Sequence, residues 1–294
     1  MSFASEIKEK LTAVGAACEF CMNAELAGVF RFAGKISEDG FLLGTENKAV
    51  AEYILTAAAE CLGLELTYEY REKGRIYLFS AKDLLTVEMI AESLLPENVM
   101  ELEQIRPFAC CKAAYLRGAF LGGGSISDPT KSYHMEFDAH TEADARDLVA
   151  VLESLDVPAK ITCRKGHYIV YLKEYEVIAD VLSLIGAGNA AMEIYNISIE
   201  KEIRNNVNRR VNCENANIDK VTEAYLRHLA AIETIKARMG LDKLPDSLRE
   251  IAQVRLAYPD ESLKELGARL ENPIGKSGVN HRLTRLVEIA ESLK

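Results

Sequence analysis

The 294-residue sequence predicts an α+β protein: a pseudo-twofold duplicated domain with antiparallel sheets, followed by an all-α helix–turn–helix domain. Three observations carry this. A seventeen-residue segment occurs twice without a gap, at 21–37 and 111–127, with eight identities (Cys, Ala, Leu, Gly, Phe, Gly, Ile and Ser). Repetition at fixed register implies a repeated structural unit. Strand and hairpin signals fill both halves of the first two hundred residues and vanish from about residue 215, where only helical periodicity remains.

In order, residues 5–17 read as a short helix, and the first repeat copy is helical to about Gly34. Phe41–Gly44 is strand-like, and Lys48–Cys61 carries Val50, Tyr53, Ile54, Ala57 and Ala58 at helical spacing. Leu64–Tyr70 alternates, turns at Glu72-Lys73-Gly74 and returns as Arg75–Ser80, a hairpin. Val87–Leu95 is a short helix closed by Pro96. The second half repeats the order. After its repeat helix come a strand at Tyr133–Asp138, a helix at Glu142–Leu155, a hairpin around Arg164-Lys165-Gly166 and a closing helix at Tyr175–Ile185. Each half is α-β-α-β-β-α, which excludes a doubly wound parallel sheet. The Asn-rich, basic stretch 196–214 reads as a linker, Ile218–Met239 as a long helix and Ser247–Leu256 as another. The expected domains are 1–200 (halves about 1–105 and 106–200), a basic linker at 201–216 and a helical domain at 217–294.

Glycine inside a helix costs about 1 kcal/mol relative to alanine, so a helix that keeps several needs a reason. Ala24, Gly28 and Phe32 in one copy, and Ala114, Gly118 and Gly122 in the other, stand four residues apart. Such small-residue stripes let two backbones approach. The two copies should therefore pack on each other, with Leu26, Phe30, Leu116 and Phe120 facing the cores of their own halves.

Seven cysteines, an odd number, are scattered through the chain. Cys18 and Cys21 have metal-knuckle spacing, but the adjacent pair Cys110-Cys111 does not, so all are expected to be buried thiols with no metal and no cofactor. The opening Met1–Lys8 is charged and amphipathic rather than a secretory signal, and no apolar run is long enough to span a bilayer, so a cytoplasmic protein without membrane partners is expected. The net charge of −10 is unevenly spread: −9 over 1–105, −4 over 106–200 and +3 over 201–294. An acidic front and a basic rear suit a chain whose rear meets phosphates.

The segments Leu26–Gly34 and Leu116–Gly124 resemble the paired LAGLIDADG motifs of homing endonucleases. That resemblance implies an acid at the penultimate position of each motif, the two meeting at the helix interface to hold divalent metals. Here those positions are Ala33 and Gly123, so a two-metal site lacks its oxygen ligands and no catalytic residue is expected. Glu38, Asp39 and Asp128 lie beyond the helix ends and read as solvated loop acids. The alternative is a metal-dependent endonuclease of the LAGLIDADG type.

Near the C-terminus, Ser262–Leu270 begins with an N-cap serine and carries Leu263, Leu266 and Leu270. A breaker at Glu271–Gly275 precedes a second helix with Val279, Leu283, Leu286 and Ile289 on its apolar stripe. Residues 272–287 contain no acid. Lys276, Ser277, Asn280, His281, Arg282, Thr284 and Arg285 are the DNA-binding candidates. Arg and Asn can read guanine and adenine in the major groove, and a basic helix start suits phosphate. A helical hairpin with a merely solvated polar face would show the same spacing. Lys201, Arg204, Arg209 and Arg210 add possible phosphate contacts, and Arg71, Lys73, Arg75, Lys160, Arg164 and Lys165 crowd the hairpin turns.

A degenerate LAGLIDADG-like domain joined to Leu263-Lys264-Glu265-Leu266-Gly267 and Ile274-Gly275-Lys276-Ser277-Gly278-Val279-Asn280-His281-Arg282-Leu283 is similar to the WhiA family of bacterial sporulation and cell-division regulators. Cys110–Ser125 and Asn208–Asn217 extend the resemblance over nearly the whole chain. It implies a nucleoid-associated transcription factor on double-stranded promoter DNA, with a helix–turn–helix like the promoter-reading domain of sigma factors. It also implies RNA polymerase machinery or, in some members, a WhiB-like protein as partner.

Overall fold

The computed structural model describes residues 2–95 and 108–293, which form two compact units divided between Glu202 and Ile203. Pro96 and the expected boundary near residue 105 lie outside the described residues.

The first half of unit one runs α1 (Phe3–Leu11), α2 (Cys21–Ala33), β1 (Gly34–Ser37), β2 (Gly40–Thr45), α3 (Lys48–Leu62), β3 (Tyr68–Arg71), β4 (Ile76–Ala81) and α4 (Leu84–Leu94). The second half repeats it as α5 (Ala109–Gly123), β5 (Gly124–Ile126), β6 (Met135–Ala139), α6 (Glu142–Glu153), β7 (Lys160–Arg164), β8 (His167–Leu172) and α7 (Tyr175–Leu184). The two antiparallel sheets have equivalent orders, β1-β2-β4-β3 and β5-β6-β8-β7. Each half has one strand more than expected. β1 and β5 start at the glycine that ends the repeat helix and are too short to alternate visibly, yet they pair in register (Gly34 with Leu43, Gly124 with Phe137). Strand β3 begins later than its alternation suggests. Gly63 caps α3 in the left-handed region at φ +64° and the Leu64 N–H is taken by the Ala58 carbonyl, a closure that keeps the chain off the sheet.

α2 and α5 pack backbone to backbone. A Cβ on Gly118 would stand 1.9 Å from the Glu25 carbonyl oxygen, and one on Gly28 would stand 2.3 Å from that of Tyr115. Gly122 faces the Val29 carbonyl, so the helices run parallel from Cys21 and Cys111 to Gly34 and Gly124. Leu26, Phe30, Leu116 and Phe120 are fully buried, and Phe30 stacks on Phe41 at 5.1 Å. Charge interrupts this apolar pair twice. Arg117 donates from Nε and Nη2 to Glu25 Oε2 at 2.8 and 2.6 Å and from Nη1 to the Ile185 carbonyl. Arg31 reaches Asp144 and Asp147 of α6 at 3.0 and 3.2 Å.

α8 (Gly188–Arg238) is one helix of 51 residues, and the stretch 196–214, expected as a linker, lies inside it. No glycine or proline interrupts 189–239. Residues 202–223 bury no side chain, so packing imposes no apolar period there and the sequence gives no helical signature. Unit two takes the end of α8, a 3-10 turn (Leu241–Lys243), α9 (Asp246–Ala257), α10 (Leu263–Ala268) and α11 (Lys276–Ser292) around Ile232, Ile235, Ile251, Leu266, Val279, Leu283 and Leu286. Among the described residues, no helix is long and apolar enough to cross a membrane.

His228 is buried in unit two, and among the described residues its Nδ1 has no hydrogen-bond partner. Burial first, then the charges of Arg255 and Arg227, lowers its pKa to about 4. The unfolded chain takes up this proton near pH 6.5 and the folded chain does not, so stability is present above that pH and is lost as pH falls toward 4. The loss should reach about 2–3 kcal/mol. Hydrogen exchange of α9 amides at pH 7 and pH 4.5 should show it, with a smaller change in His228→Leu. Equal pH dependence in the two proteins would remove His228 as the cause.

Candidate nucleic-acid interface

A capping box opens α10: the Glu265 N–H donates to Ser262 Oγ, and the Ser262 N–H donates to Glu265 Oε2. Gly267 sits where a Cβ would fall 2.2 Å from the Ile274 carbonyl oxygen, and the Ile274 N–H donates to the Gly267 carbonyl at 3.1 Å. This close approach folds residues 269–275 back and sets the start of α11 against α10. Val279, Leu283, Leu286 and Ala290 anchor α11, with Ile289 only half-buried.

Anchoring that face turns the other outward. Lys276, Ser277, Asn280, His281, Thr284 and Arg285 are all exposed. The first turn of α11 has no acid and no side-chain cap, so its N–H groups and positive dipole end are open to an anion. Thr284 Oγ1 donates to the Asn280 carbonyl, and Arg285 pairs with Glu288 at 2.6 Å across an exposed turn that a phosphate or base could displace. Arg282 differs. It is half-buried, donates to the Ser247 carbonyl at 3.4 Å and lies 3.9 Å from Glu250, which ties α11 to α9.

The other predicted cations lie on other elements. Lys201 donates to the Pro129 carbonyl at 2.6 Å with its ammonium over the Tyr133 ring, so it is engaged within unit one. Arg204, Arg209 and Arg210 are exposed along α8, with Arg210 beside Glu214 at 3.2 Å. Arg71, Lys73, Arg75, Lys160, Arg164 and Lys165 are exposed as well. On the second sheet, acids answer the cations: Arg164 is 4.0 Å from Glu136, and His167 is 3.1 Å from Asp138. That face is mixed in charge.

Ala33 and Gly123 line a cleft of about 750 Å³ at the ends of α2 and α5, together with Lys8, Glu46, Asp138 and His140. A Cβ on Gly123 would stand 2.7 Å from the Asp138 carbonyl oxygen and 3.1 Å from Phe32 Cβ, which leaves little room for a carboxylate. Lys8 donates to the Leu121 carbonyl at 3.1 Å, and burial lowers its pKa to about 8. Sequence reasoning missed this lysine because it lies outside the repeat.

The premise that the cysteine pairs are wrongly spaced for a common site needs correction. Sulfurs of Cys18, Cys21, Cys110 and Cys111 all lie within 4.8 Å of one another. Spacing along the chain misled because the ligand atoms come from both halves. The signal was the repeat itself: Cys21 aligns with Cys111, and packed parallel helices bring their first turns together.

Comparison with known proteins agrees with this architecture. Residues 112–204 match the model of the WhiA LAGLIDADG-like domain, and residues 207–290 match that of the WhiA C-terminal HTH domain. The chain is 42% identical to the probable cell division protein WhiA of Thermoanaerobacter sp. strain X514, over 100% of this chain and 98% of the relative. It is 39% identical to that of Alkaliphilus metalliredigens, over 99% and 98%. The crystal structure of full-length DUF199/WhiA from Thermatoga maritima superposes with a TM-score of 0.61 at 28% identity, covering 100% of this chain and 99% of that one. With a LAGLIDADG-like domain, a helix–turn–helix domain and relatives matched over their whole length, the chain belongs to the WhiA family.

Proposed function

We propose that the protein is a sequence-specific DNA-binding transcription regulator of cell-division and sporulation genes, and that its duplicated domain (1–200) is a non-catalytic scaffold. The observation that carries this reading is the outward face of α11: six exposed polar or basic side chains and an uncapped, acid-free first turn on a helix–turn–helix scaffold. Lys276 and Ser277, at the helix start, meet phosphate, while Asn280, His281, Thr284 and Arg285 reach base edges. Arg282 supports this surface from behind. Exposed Arg204, Arg209 and Arg210 add phosphate contacts from α8. Lys201 is the weakest of the earlier candidates, since it already binds the Pro129 carbonyl. The site of action is the cytoplasm, on nucleoid DNA, with RNA polymerase machinery or a WhiB-like protein as partner in some settings.

The endonuclease alternative fares worse. Its acid positions are Ala33 and Gly123, and the ammonium of Lys8 lines the same cleft. A cation there disfavours a divalent metal.

Binding should be measured by fluorescence anisotropy on a duplex selected from a random library. Asn280→Ala and Arg285→Ala should each weaken specific binding by about 1–3 kcal/mol, and Lys276→Ala should lower the salt slope by about one. Arg282→Ala should act through the stability of unit two. Unchanged affinity in both the Asn280 and Arg285 variants would remove α11 as the reader. Nicking of plasmid in Mg²⁺ or Mn²⁺ would overturn the scaffold reading.

A further inference from the structure

The N-terminal ends of α2 and α5 lie side by side, and four thiols converge there. Cys18 Sγ stands 3.5 Å from Cys21 Sγ, 3.4 Å from Cys111 Sγ and 3.7 Å from Cys110 Sγ. No pair in the group of four is more than 4.8 Å apart. Zinc bound tetrahedrally by thiolates at about 2.3 Å holds its sulfurs about 3.8 Å apart. The 3.4–3.7 Å separations from Cys18 lie just under that edge length, and the 4.8 Å limit of the whole group lies about 1 Å above it. Two-iron and four-iron clusters hold sulfurs on different irons farther apart than one ion does, so the compactness favours a single centre.

We propose that Cys18, Cys21, Cys110 and Cys111 form a tetrathiolate site for one zinc ion that fastens the two halves of the duplicated domain together. Binding is proton-balanced without a redox partner: one Zn²⁺ and four thiols give one complex of charge −2 and four released protons. The surroundings suit that charge. α2 and α5 both begin at a phenylalanine N-cap (Phe20, Phe108) with no side-chain cap and no acid in the first turn. Their positive dipole ends therefore lie at the cluster.

The repeat explains how such a site arises. Cys21 and Cys111 are equivalent in the duplicated segment, so the pseudo-twofold axis supplies two ligands. The other two break the symmetry: Cys110 aligns with Phe20, and Cys18 aligns with Phe108. The phenylalanines that replace them stack on each other at 6.4 Å and an interplanar angle of 9°. Each half therefore contributes two sulfurs, and neither half alone could complete the tetrahedron.

The test uses full-length, untagged protein purified under reducing conditions with zinc supplied. Metal analysis should give one zinc per chain. Thiol titration should find Cys163 and Cys213 reactive at once and the four cluster thiols only after the metal is displaced. Exchange for Co²⁺ should give the intense red-region absorption of tetrahedral cobalt thiolate. Cys18→Ser and Cys110→Ser should lose the metal and that absorption, while Cys163→Ser/Cys213→Ser should keep both. Chelation should lower the melting temperature by several degrees. If a serine variant fails to fold, the cobalt spectrum and zinc content of the wild-type chain still decide. No retained zinc and no thiolate absorption with cobalt would overturn the proposal, as would iron with acid-labile sulfide, or a disulfide among the four.

Discussion

Arg117→Met is expected to destabilise the duplicated domain by about 3–5 kcal/mol, because it strands the Glu25 carboxylate in the helix interface. Both side chains are buried, at 7% and 3% exposure, so water cannot replace the lost partner. Burial already pushes the Glu25 pKa up, against the opposing pull of Arg117. Without the arginine only the weaker pull of the Tyr53 hydroxyl opposes that rise. The folded variant then holds a proton that the unfolded chain releases above about pH 4.3, so its deficit should shrink as pH falls. The pair is not expected to add much net stability, since desolvation offsets most of its attraction. Glu25→Leu/Arg117→Met should therefore recover most of the single variant's loss. Urea unfolding of the three proteins at pH 7 and pH 5 measures all of this. A single-variant cost below about 1 kcal/mol, or no recovery in the double variant, would mean that the pair is solvated in solution.

What the sequence made legible follows from what imposes periodicity. The repeat copies could be read position by position because close backbone packing restricts Gly28, Gly118 and Gly122 to residues without a Cβ. α11 could be read because its apolar stripe is anchored and its other face is free. Strands β1 and β5 escaped because three or four residues that continue straight from a helix leave no alternation to see. The middle of α8 escaped for the opposite reason: it buries nothing, so only the absence of glycine and proline marked it as helix. Among the candidate cations, type and spacing identified Arg282 and Lys201 but could not say that each already holds a backbone carbonyl. The four-cysteine cluster was marked only by the repeat, since its thiols come from positions about ninety residues apart that the alignment of Cys21 with Cys111 relates.

Gly118→Ala separates two accounts of the repeat by the sign of its effect. Were Gly118 an ordinary helical glycine, alanine would stabilise the protein by up to about 1 kcal/mol through helix propensity and a stiffer unfolded chain. The structure gives the reverse expectation. The new Cβ would fall 1.9 Å from the Glu25 carbonyl oxygen and 3.0 Å from the Val29 nitrogen, both backbone atoms that no rotamer change can move. α2 and α5 would have to part along their whole contact, which would loosen Leu26, Phe30, Leu116 and Phe120 in both halves at once. The cost should be at least about 3 kcal/mol, at the upper end for an overpacked core. Gly28→Ala, whose Cβ would meet the Tyr115 carbonyl at 2.3 Å, should behave alike. Gly188→Ala is the control: it opens α8 with nothing within 4 Å of the added carbon, and should be neutral or slightly stabilising. Because the helix pair also sets the positions of both sheets, the Gly118 and Gly28 variants should unfold the two halves together in a single transition. A neutral or stabilised Gly118→Ala protein would mean that the helices do not touch as described, and with them would go the account of the glycine stripe as a packing device.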